Sequence, residues 1–308
     1  MKTGAGTSSR NWLEGASWPI FSVALLLALD AGCAGGGECN GAAELCSRRF
    51  DEVAFATTHN SMSNEDDGWI LPNQHHSLAR QLEDGIRGLM LDVHPRGDPP
   101  EPTLCHAECG LGSLPLVEGL GIIRKFLDEN RGEIITVILE SYVPATDLAA
   151  AFDAAGLTGN TCTPGPSGAW PTLGQMVARD QRLVVMTDHD PGTPSWYLDQ
   201  WKVAWQNPYR AGAPADFDKP AQCLVERGSS ENALFVFNHF LTAPFAAADL
   251  AEQVNHNPLF IERAQRCQAE TGRFVNFPTV DFYDIGDVLE VTRALNQLDE
   301  AQPAPRSP

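Results

Sequence analysis

Positive charge is scarce in this chain. Lys and Arg together number 21 against 40 Asp and Glu, for a formal net charge of −19 at pH 7. Non-specific DNA or RNA binding needs a cationic surface, and so does charge-driven docking on an anionic membrane. The acidity therefore argues against a nucleic-acid partner, and none is expected. No C-x-x-C occurs, which removes the usual zinc-knuckle spacing. No G-x-G-x-x-G follows the first strand and no Walker-type loop exists, which removes the dinucleotide and P-loop fingerprints. No internal repeat is present, which argues against a solenoid or propeller. What remains is an ordinary globular balance of 43% hydrophobic and 20% charged residues, neither disordered nor coiled coil. A length of 308 residues suits one α/β barrel of roughly 250 residues or two small domains.

The N-terminus reads as a targeting segment. Lys2 and Arg10 precede an apolar run, Trp18 to Leu29 (WPIFSVALLLAL), of 12 residues. That is short of the roughly 20 needed to span a bilayer and fits the core of a secretory signal. Ala31-Gly32-Cys33 resembles the end of a bacterial lipobox, with Asp30 where that pattern has an aliphatic residue. Lipidation of Cys33 and ordinary cleavage nearby are the two processing routes. The expectation is a signal over 1–34 and an exported product, either secreted or anchored as a lipoprotein in a bacterial envelope. No later run is long and apolar enough to span, so no transmembrane segment is expected after signal removal. A short cysteine-containing segment covers 35–47, a barrel 48–300 and a disordered Pro-rich tail 301–308.

Export places the eight cysteines in an oxidising compartment. Close pairs point to Cys39–Cys46 and Cys105–Cys109. Cys223–Cys267 is a further option, and the connectivity stays open.

After residue 50 short β-rich runs alternate with amphipathic segments. Val53–Thr57, Ile86–Val93, Thr103–His106, Ile134–Glu140, Arg182–Thr187, Ala233–Asn238 and Phe274–Phe282 read as strands. Ser77–Asp84 reads as a helix ended by Gly85. Leu116, Leu120, Ile123 and Leu127 recur at helical spacing behind Ser113 as cap, Thr146 caps the next helix, and a last helix covers about 286–298. Residues 158–171 and 205–222 read as loops. Such βα alternation implies a parallel sheet. Seven or eight units in one domain favour closure into a distorted (β/α) barrel of the TIM type, an α/β fold, because helix-covered parallel strands leave no apolar edge in water.

In a barrel, reactive groups project from the C-terminal ends of the strands. Those ends carry His59 and Asn60, then Asp92 and His94, then His106, Glu140 and Asp281. A buried lone carboxylate is costly unless paired, so packing alone explains this set poorly. Two imidazoles support acid–base phosphoryl transfer. One takes a proton from an attacking hydroxyl, the other returns one to the leaving oxygen, and a pKa of about 6.5 populates both states near neutrality. Asn60, Asp92 and Glu140 are hard oxygen ligands of the kind Ca²⁺ takes. His94 could contact phosphate, and Tyr283 could stack on a sugar-like ring.

At these residues a family resemblance emerges. AFATTHNSM, then NQHHSLARQLEDGIRGLMLDVH, LCHAECG and EIITVILESYV, followed by RLVVMT and FVNFPTVDFY, resemble the X-domain of phosphatidylinositol-specific phospholipase C. The resemblance is to the exported, X-domain-only type over roughly residues 48–290. It implies a barrel of the phospholipase C-like phosphodiesterase type. It implies catalytic roles for His59 and His106, with Asp281 orienting the first histidine. It implies calcium ligation by Asn60 and Glu140. In the second strand, calcium-dependent members carry Glu-x-Asp and metal-free members Asp-x-Arg, whereas this chain has Met90-Leu91-Asp92. Asp92 thus stands where the metal-free enzymes place an arginine, which favours a metal. The implied activity is phosphoric diester hydrolysis on a phospholipid at a membrane surface, by a monomer. Two rivals are a glycerophosphodiester- or sphingomyelin-type phosphodiesterase on the same barrel, and a non-catalytic barrel that binds a headgroup or sugar.

Overall fold

The computed structural model describes residues 37–298, with Met1 apart from them. The signal segment, Cys33 and the 301–308 tail lie outside the described residues. The described chain opens with short 3-10 helices at Ala43–Ser47 and Phe50–Glu52. Strand β1 (Thr57–Thr58), helix α1 (Leu78–Glu83) and strand β2 (Gly88–Arg96) follow, then β3 (Glu101–Leu104), β4 (Leu114–Pro115) and α2 (Leu116–Glu129). The middle consists of β5 (Ile135–Ser141), α3 (Ala145–Ala154), α4 (Leu173–Ala178), β6 (Leu183–Thr187) and β7 (Tyr197–Asp199). Next come α5 (Gln200–Val203), β8 (Ala204–Gln206), β9 (Arg227–Gly228), β10 (Leu234–Asn238), α6 (Ala248–Val254), α7 (Leu259–Thr271), β11 (Phe277–Val280) and α8 (Val288–Leu295).

The sheet runs β7-β6-β5-β2-β1-β11-β10-β8-β9. Along that path β1, β2, β5, β6 and β7 pair in parallel, β8, β10 and β11 do likewise, and β11 meets β1 with Thr279 opposite Thr57. Eight parallel strands therefore follow in chain order around a curled sheet, the distorted (β/α) barrel expected of this α/β chain. Among the described residues β7 and β8 do not pair, so the ladder has one seam, with the single turn α5 between them. The barrel is closed at every other step.

Two expectations need correction. Thr103–His106 is not a further parallel strand: β3 runs antiparallel to β2, with Leu104 opposite Val93. Only residues 97–100 separate the two strands, and a parallel crossover needs a dozen or more. Residues 205–222 are not all loop, since β8 lies at their start, where Trp205 stacks on Phe235 at 3.7 Å between ring centroids. A three-residue strand is too short to show a period.

Local chemistry explains most boundaries. Ser77 caps α1 and Gly85, at φ +110°, ends it. Ser113 and Thr146 do not cap. Pro115 and Pro144 occupy the N-cap positions, and the Ser113 hydroxyl accepts from Arg96 instead. Ile135 to Leu139 of β5 are all buried, as an apolar run covered on both faces requires. Phe50, Phe55, Phe277 and Trp170 pack together, with Phe50–Phe55 centroids 4.9 Å apart. Disulfides join Cys39–Cys46, Cys105–Cys109 and Cys223–Cys267, the three anticipated pairs, and the buried Cys162 has no disulfide partner among the described residues.

Candidate active site

The C-terminal strand ends converge on one cleft. His59 follows β1 and Asp281 follows β11. Asp92 of β2 lies directly opposite Glu140 of β5 in the ladder, and Asp188 follows β6. One lobe of the cleft, the more polar of the two, is lined by His59, Asn60, Asp92, Glu140, Asp188 and Arg227 among others. A second lobe is largely apolar and is lined by His59, His106, Trp69, Leu71, Leu111 and Phe245 among others. His59 borders both, and both imidazoles line the second.

His59 is held on two sides. Its Nδ1 lies 3.0 Å from Asp281 Oδ1, and its ring stacks on Phe240 at 4.1 Å, nearly parallel. Nε2 is thereby left as the nitrogen free to act. Burial pulls the His59 pKa down, but Asp281, helped by Asp92 and Glu140, outweighs it, so the net direction is upward. His106 sits in the loop after β3 that the Cys105–Cys109 disulfide closes. Its Nδ1 is 3.9 Å from Asp92 Oδ2 and has no hydrogen-bond partner among the described residues. Burial and then the charge of His59 lower its pKa.

The carboxylates show what a crowded acidic floor costs. Burial, and next the charge of Glu140, push the Asp92 carboxyl up to about 8, so without a cation it is largely protonated at neutral pH. Glu140 is exposed, and its Oε1 accepts from the Tyr142 hydroxyl. Burial also raises Asp188, although Asp188 Oδ1 accepts from the Ser141 N–H at 3.2 Å and meets His189 Nδ1 at 2.5 Å. Among the described residues no three His, Cys, Asp or Glu side chains are gathered as a preformed metal site. The polar lobe adds the side chain of Asn60, a buried residue whose φ of +46° turns the chain after β1. Oxygen-bearing side chains of this kind are what a hard cation takes, and one bound there would displace the proton of the Asp92 carboxyl.

Not every anticipated residue joins this group. His94 stacks on Tyr142 at 4.4 Å, outside the lining of both lobes. Tyr283 is elsewhere: it is buried and its hydroxyl donates to Asp84 Oδ2 at 2.7 Å. Phe282, at φ +48°, turns the chain just before it. Conversely, Asp188, Phe240, Arg227 and Tyr209 line the cleft without having been anticipated. Asp188 could have been found by the same rule that found Glu140, an ionisable residue closing an apolar run. Arg227 opens the two-residue strand β9, too short to carry such a signal. It stands over the Tyr209 ring at 5.0 Å and donates to the Tyr209 hydroxyl at 2.8 Å.

Comparison with known proteins fits this geometry. The family model PI-PLC X 1 matches residues 45–296. The chain belongs to the PI-PLC X family. A PI-PLC X domain-containing protein 1 of Arthroderma benhamiae is 28% identical over 84% of this chain and 90% of its own length. A secreted protein of the same fungus is 26% identical, and the chain spans 64% of its length. A PI-PLC X domain-containing protein of Arabidopsis thaliana is 29% identical, with 62% of its length spanned. Among solved structures, phosphatidylinositol-specific phospholipase C from Listeria monocytogenes superposes with a TM-score of 0.55 at 18% identity, covering 83% of this chain and 96% of that one. The Staphylococcus aureus enzyme gives 0.55 at 12% identity over 82% and 94%. The PI-PLC X fold is therefore that of these barrel enzymes. No helix among the described residues is long and apolar enough to cross a membrane.

Proposed function

We propose that this PI-PLC X protein is an exported phosphodiesterase that cleaves the headgroup of phosphatidylinositol-like phospholipids in the manner of a phospholipase C. The observation that carries the reading is the shared cavity of His59 and His106, with Asp281 bound to one of the two rings. The inositol 2-hydroxyl attacks phosphorus and gives its proton to His59 Nε2. The phosphorus–oxygen bond to the glycerol breaks, and His106 supplies the proton that the departing alkoxide needs. The products are a cyclic inositol phosphodiester and diacylglycerol.

In the free protein the pKa directions run against these roles, since His59 is raised and His106 lowered. Substrate and cation work against both directions. A phosphate anion beside His106 favours its charged form, and a cation at the acidic floor cancels the help that Asp92 and Glu140 give to the protonated His59. Asn60, Asp92 and Glu140, joined by Asp188, are the residues that would hold Ca²⁺, which when bound neutralises charge on the phosphate. Met90 lines the floor beside them and offers no oxygen, so the cation relies on fewer carboxylates.

The apolar lobe suits the lipid side of the scissile bond. Ile70, Leu71 and Phe245 border it and are exposed, whereas the polar lobe suits a hydroxylated headgroup. Release of cyclic inositol phosphate from phosphatidylinositol vesicles, compared with glycerophosphodiester and sphingomyelin, tests the reading. Turnover of phosphatidylinositol supports it. Turnover only of another headgroup, or headgroup affinity with no product, replaces it with one of the two rival functions.

A further inference from the structure

Asp281 is gripped by two donors, and only one of them is the histidine. Its Oδ1 accepts from His59 Nδ1 at 3.0 Å and from Asn73 Nδ2 at 2.9 Å. Its Oδ2 is buried with no partner among the described residues. A carboxylate is two-fold symmetric about its last torsion, so the His59 bond alone does not fix its plane. The second donor on the same oxygen does.

Asn73 is well placed to impose that orientation. It is buried, its N–H donates to Ser63 O at 3.0 Å, and its carbonyl accepts from the Phe282 N–H at 2.8 Å. The next residue grips the other half of the pair. Gln74 Nε2 donates to His59 O at 2.8 Å and to Val280 O at 3.2 Å, and Gln74 Oε1 accepts from the Tyr283 N–H at 3.1 Å. Outside them, His75 Nδ1 meets Asp284 Oδ2 at 2.8 Å. Successive residues of one segment thus bind the chain around His59 and the chain after β11, whose contact forms the pair. The amide also suits the electrostatics. It satisfies the Asp281 oxygen without neutralising it, whereas a Lys or Arg there would cancel the charge that His59 feels.

We propose that Asn73 is a positioning residue: it holds the Asp281 carboxylate so that Oδ1 stays on His59 Nδ1, and the Asn73–Gln74 segment carries the His59–Asp281 pair as a unit. The kinetic consequence rests on the phosphodiesterase reading above; the geometric one does not. The main chain of Asp281 is secured independently, its carbonyl accepting from Asn255 Nδ2 at 2.8 Å. Removing the Asn73 amide therefore frees the carboxylate before it frees the backbone.

The test compares wild type with Asn73→Leu, close in size but without a donor, and Asn73→Ser, which keeps a shorter donor. The readouts are kcat and KM on phosphatidylinositol and the downfield proton NMR signal of the His59 Nδ1–H bonded to Asp281, assigned by its loss in His59→Gln. Asn73→Leu is expected to lower kcat by about 10- to 100-fold, the range a misplacement on the order of 1 Å produces, with KM within about twofold. Its His59 Nδ1–H signal moves upfield and broadens because Asp281 Oδ1 no longer holds that proton, and Asn73→Ser recovers part of both losses. An unchanged kcat, or a kcat loss with the Nδ1–H signal unmoved, overturns the assignment. Should Asn73→Leu fail to fold, Asn73→Ser decides, and an unmoved signal there overturns it equally. A wild type without turnover would count against the phosphodiesterase reading alone, and the His59 Nδ1–H signal would still decide the role of Asn73.

Discussion

At the residue scale the acidic floor makes the most distinctive demand. Asp92 sits at about 8 in the folded protein against an ordinary 3.8, so between those values the native state binds a proton that the unfolded chain has lost. Stability then falls as pH rises through that window. Asp92→Asn should abolish this slope and raise Tm at pH 8 relative to wild type. Calcium should do the reverse in wild type: the rise in Tm on adding millimolar Ca²⁺ should grow from pH 6 to pH 8, as the competing proton leaves, and should shrink in Asp92→Asn. Thermal melts across pH with Ca²⁺ and with chelator check this. A Tm that ignores both pH and Ca²⁺ would remove the cation from the account. His59, His106, Asn60, Glu140 and Asp281 were legible in the sequence because each follows a strand or closes an apolar run. Tyr283 was misplaced because a left-handed residue at Phe282 breaks the alternation that would have aimed it inward.

At the element scale, strands long enough to show a pattern were readable and short ones were not. The runs behind β5, β6 and β10 stand out by near-continuous burial and that behind β2 by alternation, and Leu116, Leu120, Ile123 and Leu127 do form the buried stripe of α2. By contrast β7, α5 and β8 span only three or four residues each, below the length at which periodicity separates helix from strand. The seam of the barrel lies among them. The close approach of β1 and β2 also left no mark beyond a glycine. A Cβ built on Gly88 would lie 2.1 Å from Thr57 Oγ1, and Thr57 is fully buried two residues before His59, which carries the first imidazole. Gly88→Ala should therefore cost about 1–3 kcal/mol, which for a domain this size is a Tm loss of roughly 2–12 °C. Differential scanning calorimetry checks it, and an unchanged Tm would mean that the two strands slide apart at little cost.

At the scale of the whole molecule, strong net negative charge coexists with exposed apolar side chains beside the cleft. The chain carries −19 overall, and Glu65, Asp66 and Asp67 closely precede the exposed Ile70 and Leu71. Coulomb repulsion from anionic lipid is screened by salt over about 8–10 Å, whereas apolar contact is not. Replacing Ile70, Leu71 and Phe245 together by Ser should weaken sedimentation with phosphatidylcholine vesicles by at least about tenfold, given roughly 1.5–3 kcal/mol for each fully buried side chain of this size. Hydrolysis of a soluble inositol phosphodiester should be nearly unchanged. Equal vesicle binding by the triple variant would place the lipid contact on another face.

The central claim is that two imidazoles act on one ester. It is tested most directly by following cyclic inositol phosphate with ³¹P NMR in phosphatidylinositol vesicles treated with wild type and with His106→Ala. Only a ring with no hydrogen bond on its buried Nδ1 is removed, so the variant should fold with a similar Tm. The cyclic phosphodiester signal should grow with wild type and slow by about 10²–10⁴-fold with the variant. Growth at the same rate in both would contradict the two-histidine mechanism.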